Sequence, residues 1–458
     1  MTSSDGVSIG PDAPPTSGVS SLWKKEDWWA VWLGLGIVAC AIIFFLSGST
    51  LAPLAVNPPR DWTAFSRVTD HFAQAWPWYL VLFLVFGGIF TASTSIMGFR
   101  GRQFVLGFTL IFVTSVLILV VSQSRFFHTY SLEAPLVALL LGLAVGNFVP
   151  LPAWIEPSLR TEYYIKTGIV LLGATLPLTA IVTAGPIAFL QATIVSLTTW
   201  LTMFFVATRV FGLDKRFSAV LGAGGAVCGV SASIAVGGAV EADKEHVAIS
   251  ISIVSLWAIV MIFFLPLMSK FLGLAPGVAG AWIGTSEFAD AAGYAAAQTI
   301  ASNTGTEAAI QTFTLMKVIG RDIWIGIWAF VLAIVSTTMW EQKGGGQRAV
   351  GAGVIWARFP KFVLGFFVAS VVVSLLVANV HGDLAGVLTE RLITPIKTLR
   401  TWTFVFTFLC IGLTTRFKEL ARFGMPPFWA FTVGVLVNVP LGFLLSTVVF
   451  KSFWLSVH

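Results

Sequence analysis

The chain reads as an all-α polytopic membrane protein of about 11–13 transmembrane helices, with inverted repeats and helices broken at bilayer depth. Composition gives the first part of that reading. Of 458 residues, 57% are hydrophobic and only 10% are charged, with a mean hydropathy of +0.89, whereas a soluble domain carries roughly 25% charged residues. The stretch Ala219–Val240, AVLGAGGAVCGVSASIAVGGAV, gives the second. It is apolar enough for lipid, yet Gly222, Gly224, Gly225, Gly229, Gly237 and Gly238 each weaken a helix interior by roughly 1 kcal/mol relative to alanine. Interrupted helices survive inside a membrane where they line a cavity enclosed by protein. The competing reading is one continuous helix whose small residues form a tight seam.

In chain order, residues 1–27 are polar and rich in Ser, Pro and Gly, and read as a disordered cytoplasmic tail. The run 28–46 is too long for a signal-peptide core and reads as a retained anchor. Further runs long enough to cross occur at 78–97, 104–121, 133–151, 163–183, 186–208, 218–240, 247–269, 280–299, 308–338, 361–380, 400–415 and 427–450. Those at 280–299 and 400–415 are the weakest of the thirteen. The runs divide into accessory N-terminal helices (28–121), a first half of a transporter core (133–269) and a second half (280–458).

With the N-terminus inside, 17 of the 27 Lys and Arg residues fall on the cytoplasmic side and 8 on the outer side, while Lys317 and Arg321 lie within a span. That asymmetry favours a cytoplasmic N-terminus. It also accounts for the net charge of +6 without nucleic acid. Repetition points the same way. Gly173-Ala-Thr175 leads to Gly185-Pro186, and Gly412-Leu-Thr414 leads to Gly424 and Pro426, on spans of opposite direction. The stretch 219–240 precedes Glu245 and a long span, as Gly280–Gln298 precedes Glu307 and another. Two glycine-interrupted segments in matching places are the sequence mark of a transporter site.

The groups able to act in such a site are few. Lys317 and Arg321, four apart, share a helix face. A charge at the bilayer centre costs at least ~2.5–3.5 kcal/mol and persists when paired or facing a polar cavity. Two cations near helix N-termini describe an anion site; the alternative is ion pairing with Glu287, Asp290 or Asp322. Glu287, after Thr285-Ser286, suits the first turn of a half-helix and Asp290 lies a turn deeper; Asp290 and Glu287 are the candidates for binding H+ or Na+ coupled to transport. The substrate-binding set is Gly229, Ser231, Ser233, Gly284, Thr285, Ser286, Lys317 and Arg321. No cofactor and no metal site are expected, because Cys40, Cys228 and Cys410 lie in apolar runs without ligand spacing. Gly229-Val-Ser231-Ala-Ser233 approaches a nucleophile elbow, but Ser233 replaces the closing glycine, so no enzymatic activity is expected. An anion channel and a non-transporting scaffold or receptor stay open as alternatives.

LGAGGAVCGVSASIAVGGAV followed by EHVAISISIVSLWAIVMIFFLPLM resembles the YeiH-type sulfate exporter family. So do GAWIGTSEFADAAGYAAA, the Lys317/Arg321 pair and LCIGLTTRFKELARFGMPP, so that the likeness covers roughly 133–458. It implies a bacterial inner-membrane protein of inverted five-helix repeats, related in fold to cation/proton antiporters and bile-acid symporters and exporting a small anion. By that resemblance Gly222, Gly224, Cys228, Gly229, Ser231 and Ala232 fall on the first signature, and Gly284, Ser286, Lys317 and Arg321 on later ones. Phe288 and Ala289 stand where the family commonly has a His and an acid, and the acid here is Asp290, which puts the substrate or coupling ion in doubt. The added N-terminal spans imply a packing element or a homodimer contact.

Overall fold

A computed structural model describes residues 21–129, 134–176, 178–340, 360–379, 384–416 and 424–457. The described residues are helical, without a strand. Expectations for residues 1–20, and for Lys343, Arg348, Arg358, Lys418 and Arg422, lie outside them. Residues 21–27 are not a polar tail: Ser21–Lys24 forms a helical turn and Glu26 opens a spanning helix.

Among the described residues nine helices are long and apolar enough to cross a membrane. They include α1 (Glu26–Leu46), α2 (Phe65–Ile96) and α3 (Gly101–Ser122). Two shorter helices, α4 (Ala134–Phe148) and α5 (Thr161–Gly173), follow. Next come α6 (Leu178–Phe205), α7 (Lys215–Ala226), α8 (Val230–Ala239) and α9 (Lys244–Phe271). The remainder is α10 (Pro276–Ser286), α11 (Asp290–Thr304), α12 (Ala308–Trp340), α13 (Lys361–Ala378), α14 (Gly386–Thr414) and α15 (Met425–Val449).

Contacts at the helix ends define two faces. At the near face, where α1 begins, Glu26 pairs with Arg160 at 3.1 Å and Asp27 with Lys166 at 2.7 Å. At the far face Thr50 donates to the Arg391 carbonyl, Leu178 N–H to Ser374, and Lys397 pairs with Glu307. α6 then returns to the near face, where Phe204 stacks on Trp340 at the end of α12.

The glycine-rich segment 219–240 is broken, as its composition predicts, but it does not span. Arg216 at the start of α7 donates to the Glu241 carbonyl just beyond α8 at 3.1 Å, and Phe217 stacks on His246 at 4.3 Å. A Cβ at Gly224 would meet Ser233 Oγ, which places α7 and α8 antiparallel. They form a re-entrant hairpin from the near face with its tip at 227–229. α7 rises about 18 Å, too little for a hydrocarbon core of ~30 Å.

The run 280–299 is likewise two half-helices. Gly280 approaches Ala309 and Thr312, and Gly284 approaches Phe313 and Met316, so α10 runs parallel to α12. Gly293 of α11 approaches Phe313, and Glu307 just beyond α11 lies with Lys397 at the far face. This second hairpin therefore enters from the far face, with its tip at 287–289. Two expected crossings are thus removed, and because the number removed is even the two termini of the bundle keep their opposite faces. Lys244 and Lys270 exchange faces, which leaves the count of 17 against 8 unchanged.

The N-terminal helices are part of the packing rather than an appendage. Gly34 of α1 seats against Val170 of α5, and Val31 against Gly365 of α13. Deeper in the bundle, α4 and α14 meet through Gly142 and Gly412, where a Cβ on either would strike the other's backbone; this is the small-residue packing of membrane helices.

The hairpin assignment predicts the labelling of single cysteines placed at Lys215 and Glu241 in a background without native cysteines. A membrane-impermeant maleimide should reach both from one side, and cysteines at Gly273 and Thr304 from the other. Labelling of 215 and 241 from opposite sides would restore a spanning helix.

Candidate functional site

The two hairpin tips meet midway through the bundle. Gly229, at φ +69°, adopts a left-handed conformation that strains other residues, and a Cβ there would sit 2.7 Å from the Phe288 carbonyl oxygen. Both breaks thus touch at one point, and glycine is required there for conformation and for space.

Each break exposes two kinds of backbone group: carbonyls at the C-terminal ends of α7 and α10, and N–H groups at the N-terminal ends of α8 and α11. Lys317 and Arg321 take the carbonyls. They lie on a π-helical turn of α12, Leu315–Arg321, and are fully buried. Lys317 Nζ donates to the carbonyls of Val227 (2.9 Å) and Glu287 (3.0 Å) and stands 3.5 Å from the Asp290 carboxylate. Arg321 donates to Gly225 (3.1 Å), Ala226 (3.2 Å), Thr285 (2.8 Å) and Glu287 (2.8 Å). Two cations therefore staple the two negative ends of helix dipoles.

The free N–H groups lie on the other side of each break. A cavity of ≈ 70 Å³ opens there, lined by Val230 and Ala289–Ala292 from the two first turns, with Cys228, Thr161, Glu162, Ser255, Ile259 and Phe408. Ser231 donates to Glu162 Oε2 at 2.9 Å. Glu162 also pairs with Lys166 at 3.2 Å, and Lys166 with Asp27 of α1. A polar chain thus links the cavity to the near face.

The expected site residues separate into groups. Gly229, Ser231, Asp290, Lys317 and Arg321 converge on the tips. Ser233 is turned away, bonded to Ser250 at 2.9 Å. Gly284, Thr285 and Ser286 form the last turn of α10, whose free groups are carbonyls, so the N–H donors expected at 284–286 are found instead at the start of α11. Thr285 Oγ1 bonds back to the Ala281 and Trp282 carbonyls within α10. Glu287 lies in the break rather than in a first turn, and its Oε1 accepts from the N–H groups of Phe288 (2.9 Å) and Ala289 (3.2 Å). Asp290 is the first residue of α11, not a turn deeper. Asp322 is buried with neither carboxylate oxygen hydrogen-bonded among the described residues.

Sequence reading missed Glu162, Lys166 and Asp27. The first two carried a usable signal, an i, i+4 acid–base pair opening an apolar run. Asp27 was hidden in a segment read as tail.

A family model described as conserved hypothetical protein 698 matches residues 106–430. A UPF0324 membrane protein of Rhodopirellula baltica is 32% identical over 406 residues, covering 88% of this chain and 73% of its own length. One from Nitrosomonas europaea is 31% identical, with 88% and 91% covered. One from Nitratidesulfovibrio vulgaris is 31% identical, with 81% of this chain matched to 63% of the relative. No solved structure matches the chain.

The tip geometry makes Gly229→Ala costly. A left-handed alanine loses about 1–2 kcal/mol before the clash with Phe288 is counted, so the purified variant should unfold at a lower temperature than wild type. Gly36→Ala, at a helical position with nothing within 4 Å, should do no harm and serves as the control. Equal melting temperatures for the two variants would show that the tips do not touch.

Proposed function

We propose, from the premise that the chain belongs to the UPF0324 membrane protein family, that it is a secondary transporter moving a small anion by alternating access. One observation carries this reading. Two hairpins entering from opposite faces meet mid-bundle, and both present helix N-termini to one small cavity, which is an arrangement suited to an anionic group. A far-face vestibule of ≈ 400 Å³ leads toward it along α11 and α14. Between them the rings of Tyr294 and Phe404 pack with centroids 4.0 Å apart and planes tilted by 44°, one helical turn beyond the cavity residues Asp290 and Phe408. A closed ring pair between vestibule and site suits a carrier better than a channel.

The cavity also holds two carboxylates, Glu162 and Asp290. An anion entering alone would be repelled by them, whereas an anion accompanied by H+ or Na+ would not. The carboxylates take the cation, and the helix N-termini take the anion. Asp290 is the more direct coupling group, because it competes with the backbone carbonyls for Lys317; Glu287 is the second candidate. Lys317 and Arg321 contribute positive field from behind the tips rather than direct ligation, since their donors are occupied. The resemblance to YeiH-type exporters supports a sulfate-like or sulfonate-like substrate. The excess of Lys and Arg at the near face supports a cytoplasmic N-terminus in a bacterial inner membrane.

Proteoliposomes containing the full chain should take up labelled sulfate or a small sulfonate saturably and show counterflow against the unlabelled anion. Asp290→Asn should retain anion binding but lose the dependence of flux on pH or Na+. Flux without counterflow would indicate a channel, no flux with any small anion would overturn the transport reading, and unchanged coupling in Asp290→Asn would remove Asp290 from that role.

A further inference from the structure

The vestibule is more than a passage. Its lining includes three cations, Arg60, Lys397 and Arg400, against one carboxylate, Glu307, which is spent on Lys397 at 2.7 Å. Arg400 is the unusual member. It is 4% exposed, yet no carboxylate lies within ion-pair distance of it among the described residues. One guanidinium nitrogen donates to Thr175 Oγ1 at 2.9 Å, and the group lies 5.8 Å from the Tyr294 ring centroid. Its Nε–H is buried without an acceptor.

A buried charge without a counter-ion is among the more costly features a fold can keep. The two buried cations at the hairpin tips are matched: Arg321 by four close carbonyls, Lys317 by two carbonyls and Asp290. Arg400 has a neutral hydroxyl, a ring and an open polar cavity. Gln298, Ser302, Thr398 and Thr401 line the same space and offer neutral hydrogen-bonding groups around it.

We propose that Arg400 marks a second anion site, a vestibule subsite that takes a small oxoanion such as a sulfate, sulfonate or carboxylate group before it reaches the tip cavity. The guanidinium supplies two-pronged donation to anion oxygens. The neutral side chains complete the shell. Tyr294, against which Arg400 rests, is also half of the ring pair that separates vestibule from cavity. The anion therefore waits directly beside the closure it must pass. The position of this subsite along a path rests on the transport reading; the binding itself does not.

The test is equilibrium binding to the purified full chain in chloride-free buffer, with sulfate, methanesulfonate and acetate as probes, read by calorimetry and by thermal unfolding. Wild type should bind at least one of them and melt higher in its presence. Arg400→Gln should weaken that affinity by about tenfold or more, the loss of one charged hydrogen-bonding group, and Arg400→Lys should recover part of it. Without anion, Arg400→Gln should melt no lower than wild type, because an uncompensated charge has been removed. A drop in anion-free melting temperature would mark Arg400 as structural and overturn the proposal, as would wild-type affinity in Arg400→Gln or no binding of any probe to wild type. Flux in proteoliposomes is a separate readout: counterflow that survives loss of binding at Arg400 would overturn the placing of the subsite on the path and leave the transport reading standing.

Discussion

The constraint on which the structure depends is that a helix broken inside a membrane leaves backbone groups that water is not there to satisfy. Two such breaks are brought together here, and one π-helical turn of α12 resolves both. Lys317 and Arg321 reach carbonyls on each tip, so neither break is closed by its own chain alone. The dependence is mutual. The cations are tolerable at that depth because the carbonyls of Gly225, Ala226, Val227, Thr285 and Glu287 surround them, and the carbonyls are tolerable because the cations are there. Removing either partner would strand the other, which is the most damaging change a buried polar cluster undergoes.

Once the carbonyl ends are stapled, the geometry of a hairpin decides the rest. The opposite ends of the two breaks, the N–H ends, have no equivalent side-chain partners apart from Glu287, which covers Phe288 and Ala289. They open instead on the tip cavity. The fold thus sorts its backbone charge, placing the negative ends in the protein with fixed cations and the positive ends at a space. Carboxylates at the rim, Glu162 and Asp290, balance the positive ends in the absence of a ligand.

Much of this was legible in the chain. All-helical membrane architecture follows from composition, the breaks from glycine content, and the meeting of Lys317 with Arg321 from their spacing. The hairpins were not legible, because a segment of 22 apolar residues has the same length whether it crosses once or enters and returns. Tertiary contacts such as Arg216–Glu241 and Phe217–His246 separate the two. The role of the cations was read with the opposite partner for the same reason: sequence shows a charge near a helix end, but not which end. Asp27 escaped because its significance lies in α1 and α5 being packed together, a tertiary fact with no local pattern, whereas Glu162 showed locally only as an i, i+4 partner of Lys166.

The two faces of the molecule are closed by different physics. At the far face the seam between α11 and α14 holds the open vestibule, and the barrier beneath it is an aromatic pair. At the near face the matching seam, between α8 and α5, is bridged by Ser231, Glu162, Lys166 and Asp27. The carboxylates of that bridge are 33% and 27% exposed, and ion pairs within reach of water contribute only about 0–1 kcal/mol. Water can therefore replace the near-face closure at small cost, whereas parting the rings exposes apolar area with no compensating partner. A carrier needs its closures to be nearly equal in free energy. On the proposed transport reading several weak polar contacts in series stand against the ring pair, and α1, which supplies Asp27 to them, moves with the near-face closure.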